Sequence, residues 1–215
     1  LTIQNVARGP TVMNAEQYIG YMTEADYLSM DKVNADWDFK TNTDWSKVAF
    51  EPSRMQKHNL AFQGGNDKGT YYLSLTYLDN NGYVVGDADT YKRLTATINA
   101  DYNIKKWLQV GTNNQIEYYK RKAVAEGSEY GSLLSSVIML DPLTPVKYSP
   151  DNLPEHMQTM VNAGKTYLKD KDGNYYSTSA FQETDNYNPY IMRDKINSTN
   201  SGYNINGVIY ANLKP

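Results

Sequence analysis

The sequence predicts an all-β chain. It reads as antiparallel up-and-down strands, about six of them, of the kind that wall a large transmembrane β-barrel, joined by long helix-containing loops. Three observations carry this. From Tyr91 to Lys122, apolar and polar residues alternate with period two, in two runs about twice the length of an ordinary strand. The connections between strand-like runs are alternately short and long. Twenty of the 215 residues are Tyr, against four Phe and three Trp. Tyr suits positions with one apolar and one wet side, such as membrane interfaces and ligand-facing surfaces. A soluble β-sandwich rich in Tyr is the competing architecture.

Composition removes other classes. A formal net charge of -3 gives no electrostatic case for nucleic acid, and the absence of cysteine excludes disulfides and thiolate metal sites. A mean hydropathy of -0.68, with no 18-residue apolar run, excludes a transmembrane helix. It does not exclude a barrel, whose strands bury only alternate residues. The chain opens on Leu1-Thr2-Ile3-Gln4, already alternating, and closes inside another alternating run. Both ends are therefore read as cuts through a longer chain.

In chain order, 1–6 reads as a strand that Gly9-Pro10 breaks. Asn14 and Gln17 form a capping box for a helix with Ala15, Tyr18, Ile19, Met22, Ala25 and Leu28 on one stripe, expected to end near Met30. Residues 31–52 read as an irregular polar loop anchored by Trp37, Phe39, Trp45 and Phe50. Strands follow at 58–65 and 71–79, separated by the turn cluster Asn66-Asp67-Lys68-Gly69. Two more are expected at 91–103 and 107–122, and the last at 201–213.

The connection 123–200 is far longer than ordinary loops, so it should be functional or separately folded. Ser128 is its expected first helix cap, ahead of Tyr130, Leu133, Leu134, Val137, Ile138 and Leu140, with a stop before Pro142. A second short helix is expected over 154–163, with Met157, Met160 and Val161 inward and Gly164 past its end. Asp172-Gly173 between Tyr167 and Tyr175-Tyr176 reads as a hairpin turn.

Loop asymmetry favours the barrel, because bacterial outer-membrane barrels have short periplasmic turns and longer outer loops. So does spacing: Lys92 and Tyr102 are a ten-residue step apart, which at about 3.3 Å per residue and roughly 40° of tilt spans about 25 Å, the height of an apolar membrane band. The apolar face is also rich in Ala, Thr and Gly, thin material for a sandwich core. In the barrel Leu94, Ile98, Tyr102, Val110, Ile116, Tyr118, Ile205 and Ile209 would face lipid. In a sandwich they would lie under a second sheet about 10 Å away.

From His58 to Gly111 the text HNLAFQGGN, YYLSLTYLDNNGYV and YKRLTATINADYNIKKWLQVG resembles the early barrel strands of SusC/RagA-like TonB-dependent outer-membrane receptors. Asn42-Thr43-Asp44-Trp45 resembles the family's N-T-D-W stretch, and VMNAEQYIGYM its preceding helix. LDPLTPVKYSPDN, DNYNPY and STNSGYNINGVIYANLKP also fit, so the resemblance covers nearly the whole chain. It implies a nutrient importer in the outer membrane of a Gram-negative bacterium: a 22-stranded barrel with an N-terminal plug. Its implied partners are a SusD-like surface lipoprotein, the TonB complex and outer-membrane lipid, and its substrate an oligosaccharide or, as the rival, a peptide.

In the implied topology this chain is part of the barrel domain, with the plug and remaining strands absent. Loops 7–57, 79–90 and 123–200 face outside, and the turns at 66–70 and 104–106 face the periplasm. Substrate contacts are then expected from Tyr130, Tyr148, Tyr167, Tyr175, Tyr176, Tyr187 and Tyr190, each weighed against packing of the loop on itself.

Other chemistry finds little support. Asp170, Asp172 and Asn174 alternate like calcium ligands, but Gly173 is out of place for an EF-hand loop, so a plain turn is expected. His58 and His156 lack zinc spacing. No Gly-rich phosphate loop, nucleophile elbow or paired-carboxylate signature is present. No cofactor and no enzymatic activity are expected.

Overall fold

The computed structural model describes residues 2–4, 11–125, 131–183 and 187–214. Eight strands and six helices lie among them. The strands are β1 (Thr2–Gln4), β2 (Ser53–Asn66), β3 (Gly69–Asn81), β4 (Thr90–Lys105), β5 (Leu108–Val124), β6 (Lys147–Tyr148), β7 (Tyr175–Tyr176) and β8 (Asn197–Leu213). The helices are α1 (Ala15–Glu24), α2 (Met30–Asp36), α3 (Trp45–Ala49), α4 (Leu133–Met139), α5 (Glu155–Asn162) and α6 (Pro189–Lys195). One six-stranded antiparallel sheet has the order β1-β2-β3-β4-β5-β8, while β6 and β7 pair separately.

Each strand of the large sheet pairs with the strand before it, apart from the jump from β5 to β8. Short turns set the register. Asn66 Oδ1 accepts the backbone N–H groups of Lys68 (2.9 Å) and Gly69 (3.2 Å), an Asx turn that reverses β2 into β3. A bulge between Asn103 and Lys105 tightens the reversal from β4 into β5.

With register fixed, the period-two pattern becomes rows across the sheet. One row holds Tyr77, Leu94, Tyr118 and Tyr203. The next holds Leu60, Leu75, Ala96, Ile116 and Ile205, and the one beyond it Phe62, Leu73 and Ile98. All of these lie on one face.

That face is the less covered of the two. Leu94, Ile98 and Ile116, on central strands, are 43%, 42% and 43% exposed. Their neighbours on the polar face of β4, from Arg93 to Asn103, are all partly buried. Polar residues there bond laterally: Arg93 pairs with Glu117 (3.5 Å), Asn204 donates to Glu117 (3.0 Å), and Asp101 accepts from Thr70 (2.5 Å) and Gln109 (3.1 Å). Among the described residues no second sheet lies over the apolar face, which the sandwich alternative requires. A soluble sheet covers its apolar side; this one leaves it bare.

Glycine and tyrosine face each other across neighbouring strands. Gly111 is opposite Tyr210, and a Cβ on Gly111 would stand 2.3 Å from that ring. Gly64 is opposite Tyr71 in the same way, with 2.6 Å to the hydroxyl. The rings lie over the bare glycines, a packing that pins register.

The outer connections do not run separately. Residues 11–52, 82–89, 131–183 and 187–196 fold into one cap on the sheet. Its first core joins Trp45 and Ala49 of α3, Val84 and Ala88 of the β3–β4 connection, Val124, Leu133 and Val137 of α4, and Met192 of α6. Its second joins Ala15 and Tyr18 of α1, Leu28, Val33 of α2, Leu143 and Phe181.

Several sequence expectations are corrected here. The capping box of Asn14 and Gln17 forms, but α1 stops at Glu24. The backbone turns through Asp26 at φ +59°, and Ser29 caps a new helix, α2. The loop expected to be irregular over 31–52 holds most of α2 and all of α3, each with a side-chain cap. Ser128 and Tyr130 lie outside the described residues; Ser132 caps α4, with Ser135 closing its capping box. In α5 Met157 is fully buried, whereas Met160, expected inward, is exposed. The strands begin earlier than the alternation alone gave, β2 at Ser53 and β8 at Asn197.

Candidate ligand-binding cleft

The stretch Asn42-Thr43-Asp44-Trp45 clasps the cap together. Asn42 Oδ1 accepts the Ala15 N–H of α1 at 3.0 Å. Thr43 donates its N–H to Pro142 O (2.8 Å) and its hydroxyl to Thr144 O (2.7 Å). Asp44 caps α3 through the Ser46 and Lys47 N–H groups; burial opposes ionisation, but the Ser46 hydroxyl and Lys47, through its ammonium and its N–H, hold the carboxyl below the ordinary range. Trp45 is buried, and its Nε1–H donates to Asp141 O at 2.8 Å.

Asp141 itself is fully buried. Its carboxylate accepts the Leu143 N–H (2.9 Å) and the Thr144 hydroxyl (3.0 Å). Burial raises its pKa despite these donors. The same burial, with Asp141 nearby, pushes the Tyr18 hydroxyl up to about 12 and raises Tyr148 as well.

Around this clasp lies a cleft of about 910 Å³. Its walls include Trp45 and Thr144 from the clasp, Leu140 at the end of α4, His156 and Met160 from α5, and the segment Ser177–Ser179. Lys165, Tyr167, Gln182, Glu183 and Tyr187 also line it, with Gly131 and, from around the start of α6, Asn188 and Ile191. Tyr187 is half exposed and Tyr167 partly so. His156 Nε2 is 3.1 Å from Thr178 O, while Nδ1 has no hydrogen-bond partner. Desolvation lowers the His156 pKa, so the ring is neutral at pH 7. The cleft thus offers aromatic faces beside mostly uncharged polar groups.

The expected tyrosines divide. Tyr167 and Tyr187 line the cleft. Tyr148 and Tyr175 pair in the small β6–β7 sheet, and Lys169 Nζ sits 4.2 Å over the Tyr175 ring. Tyr176 is buried, and its hydroxyl donates to Asp194 at 2.7 Å. Tyr190 stacks under Arg193 at 3.8 Å, with Lys147 at 5.3 Å. Tyr176 and Tyr190 are thus tied into an ionic network inside the cap. Tyr130 lies outside the described residues.

Asp170 supports the expected plain turn. Its Oδ1 accepts the Asp172 and Asn174 N–H groups (2.8 and 2.9 Å), and its Oδ2 is 2.7 Å from Lys147 Nζ, which holds the carboxyl far below the ordinary range. Sequence reasoning missed His156, Met160, Lys165, Thr178 and Gln182 as cleft residues. They come from separate short segments, and no spacing links them.

No family model matches the chain. Over 141 residues it is 29% identical to the TonB-dependent receptor SusC of Bacteroides thetaiotaomicron, a match covering 65% of this chain and 13% of that protein. Over 75 residues it is 35% identical to the TonB-dependent receptor P39 of Formosa agariphila, covering 35% of this chain and 7% of the relative. The chain therefore spans only a small part of the curated relatives it matches. Among solved structures, the RagAB peptide transporter matches with a TM-score of 0.62 at 18% identity, over 99% of this chain and 25% of that one. The same importer in its open-open state gives 0.61 at 19%. Uncovered apolar face, strand order and matched sequence agree: the chain is similar to SusC/RagA-like TonB-dependent receptors, and its sheet has the fold of a stretch of their barrel wall.

Proposed function

We propose that this chain is part of a SusC-type outer-membrane importer that takes up oligosaccharides, driven by the TonB complex and partnered by a SusD-like surface lipoprotein. In this reading Leu94, Ile98, Tyr102, Val110, Ile116, Tyr118, Ile205 and Ile209 face lipid. The face bearing Arg93, Asp101, Glu117 and Asn204 lines the lumen and meets the plug. The cap looks outward and presents its cleft to incoming substrate. The bare apolar face carries the transport reading, because water would not tolerate rows of Leu, Ile and Tyr of this extent.

Sugar is favoured by the cleft. Tyr167 and Tyr187 supply ring faces, and His156, Thr178 and Gln182 supply neutral hydrogen-bonding groups around them. The test is calorimetric titration of the intact receptor with neutral oligosaccharides and, separately, with oligopeptides of similar size. Oligosaccharide binding is expected, weakened by roughly tenfold in Tyr187→Ala. Peptide binding with no response to sugar would assign the receptor to peptides instead.

A further inference from the structure

Immediately beyond the aromatic row, on the same outward face, the sheet carries lysines. Lys92 stands directly opposite Lys120 in the β4–β5 register, two residues from the Leu94–Tyr118 pair. Lys122 follows on the same face, opposite Thr199 of β8. Like charges directly opposite each other destabilise an antiparallel pair unless something neutralises them. Asp79, across from Lys92 on β3, reaches Lys92 at 3.4 Å. Lys120 and Lys122 are exposed, and neither has a carboxylate within ion-pair distance among the described residues.

The basic strip continues beside the wall. Lys122 forms the lip of a cleft of about 470 Å³ between the cap and the outer ends of β5 and β8. Within it Lys147 is paired with Asp170 and Arg193 with Asp194. Asp172 also faces the cleft. Lys195, at the end of α6, is exposed and makes no ion pair among the described residues. The order along the strands is therefore apolar rows, then an aromatic row, then exposed ammonium groups, of which Lys92 is paired with Asp79 and Lys120 and Lys122 have no carboxylate partner among the described residues. A bilayer has the complementary order of acyl chains, interface and phosphate-bearing headgroups.

We propose that Lys92, Lys120 and Lys122 form a docking strip for phosphorylated lipid headgroups of the outer leaflet. Long lysine side chains lie along the apolar surface and reach the phosphates from it, so the headgroup supplies the anion that Lys120 and Lys122 lack. The inference rests on the lipid-facing reading of the apolar face.

The test uses the intact receptor in nanodiscs and counts lipids retained on it by native mass spectrometry. The probes are phosphatidylethanolamine alone and phosphatidylethanolamine with lipid A. Preferential retention of lipid A is expected. The double variant K120Q/K122Q should lose about fivefold per lysine, about twenty-fivefold in all, whereas K120R/K122R should keep it. Equal retention by the Gln and wild-type receptors overturns the proposal. So does displacement of lipid A by millimolar inorganic phosphate, which would mark an ordinary soluble-anion site. Ile116→Trp, quenched by brominated acyl chains, separates the two readings. No quenching overturns the lipid-facing assignment; quenching with unchanged headgroup preference overturns only the lysine strip.

Discussion

In the cap, Trp45, Leu133, Met157 and Met192 are each buried by the chain's own residues, whereas in the wall Ile98 and Ile116 are left over 40% exposed on central strands. The apolar residue types are similar and the solvents they require are different. Burial at about 25 cal/mol per Å² stabilises the cap in water as it does any small globular core. On the lipid-facing reading proposed above, the wall gains nothing comparable until lipid covers it, and strand pairing with lateral polar bonds holds it meanwhile. One polypeptide therefore contains two stability regimes. On the reading proposed above, the recognition surface belongs to the regime that does not depend on the bilayer.

The strongest way to break this comparison is to truncate the cap core. Trp45→Ala removes a buried ring that touches both ends of the clasp, along with its hydrogen bond to Asp141 O. A cost of about 3–5 kcal/mol is expected, read as proteolysis and hydrogen exchange confined to 11–52 and 131–196 while the wall strands stay protected. Loss of protection in β3 to β5 at the same time would mean the two regions form one cooperative unit. Next in size is a charge in the wall. Ile116→Lys should cost about 2–4 kcal/mol in a bilayer, and Gln115→Lys, one residue away on the opposite face, close to nothing. Denaturant unfolding from vesicles measures both, and equal costs would erase the distinction between the faces.

A finer test concerns register. Ala at Gly111 would drive its Cβ into the Tyr210 ring, at 2.3 Å. Overpacking of this kind costs roughly 1–3 kcal/mol. In Gly111→Ala/Tyr210→Ala that cost should vanish, since the obstacle is gone. If Gly111→Ala alone raises stability, the ring moves aside freely and the Gly–Tyr pair does not pin the strands.

The wall was legible in the sequence because period two is imposed residue by residue. Leu94, Ile98 and Tyr102 announce their shared face without reference to any distant partner. The cap was much less so. Its helices α2, α3 and α6 are five to seven residues long, too short to show a periodic stripe, and only their caps Ser29, Asp44 and Asn188 mark them. The cleft was least legible, since His156, Lys165, Thr178 and Tyr187 lie in separate short segments of the β5–β8 connection and meet Trp45, from before β2, only once the cap has folded. Two stretches that read as family text, Asn42–Trp45 and Asp141–Thr144, meet in space across about a hundred residues. Their text could be matched long before the reason for it, a mutual clasp, could be seen.

Asp141 at the centre of that clasp gives the smallest and most specific prediction. Burial raises its carboxyl above the ordinary range, opposed by the Ser179, Leu143 and Thr144 donors. A carboxyl whose folded pKa lies above its unfolded value, about 3.9, favours the folded cap fully below that value. The contribution is lost as pH rises through the raised folded pKa. Cap stability should therefore decline as pH climbs from about 4 toward neutrality, because ionised Asp141 is poorly solvated. Asp141→Asn keeps an oxygen for the Leu143 N–H and cannot ionise, so its profile should be flatter over the same window. Thermal unfolding of the cap at a series of pH values, followed by hydrogen exchange at Leu143 and Thr144, reads the difference. A wild-type cap that instead gains stability toward pH 7 would mean that the donors outweigh burial and that Asp141 is held as a carboxylate. The clasp would then be ionic at its centre, and the cap would share with the wall's Arg93–Glu117 pair a dependence on charge that its apolar core does not reveal.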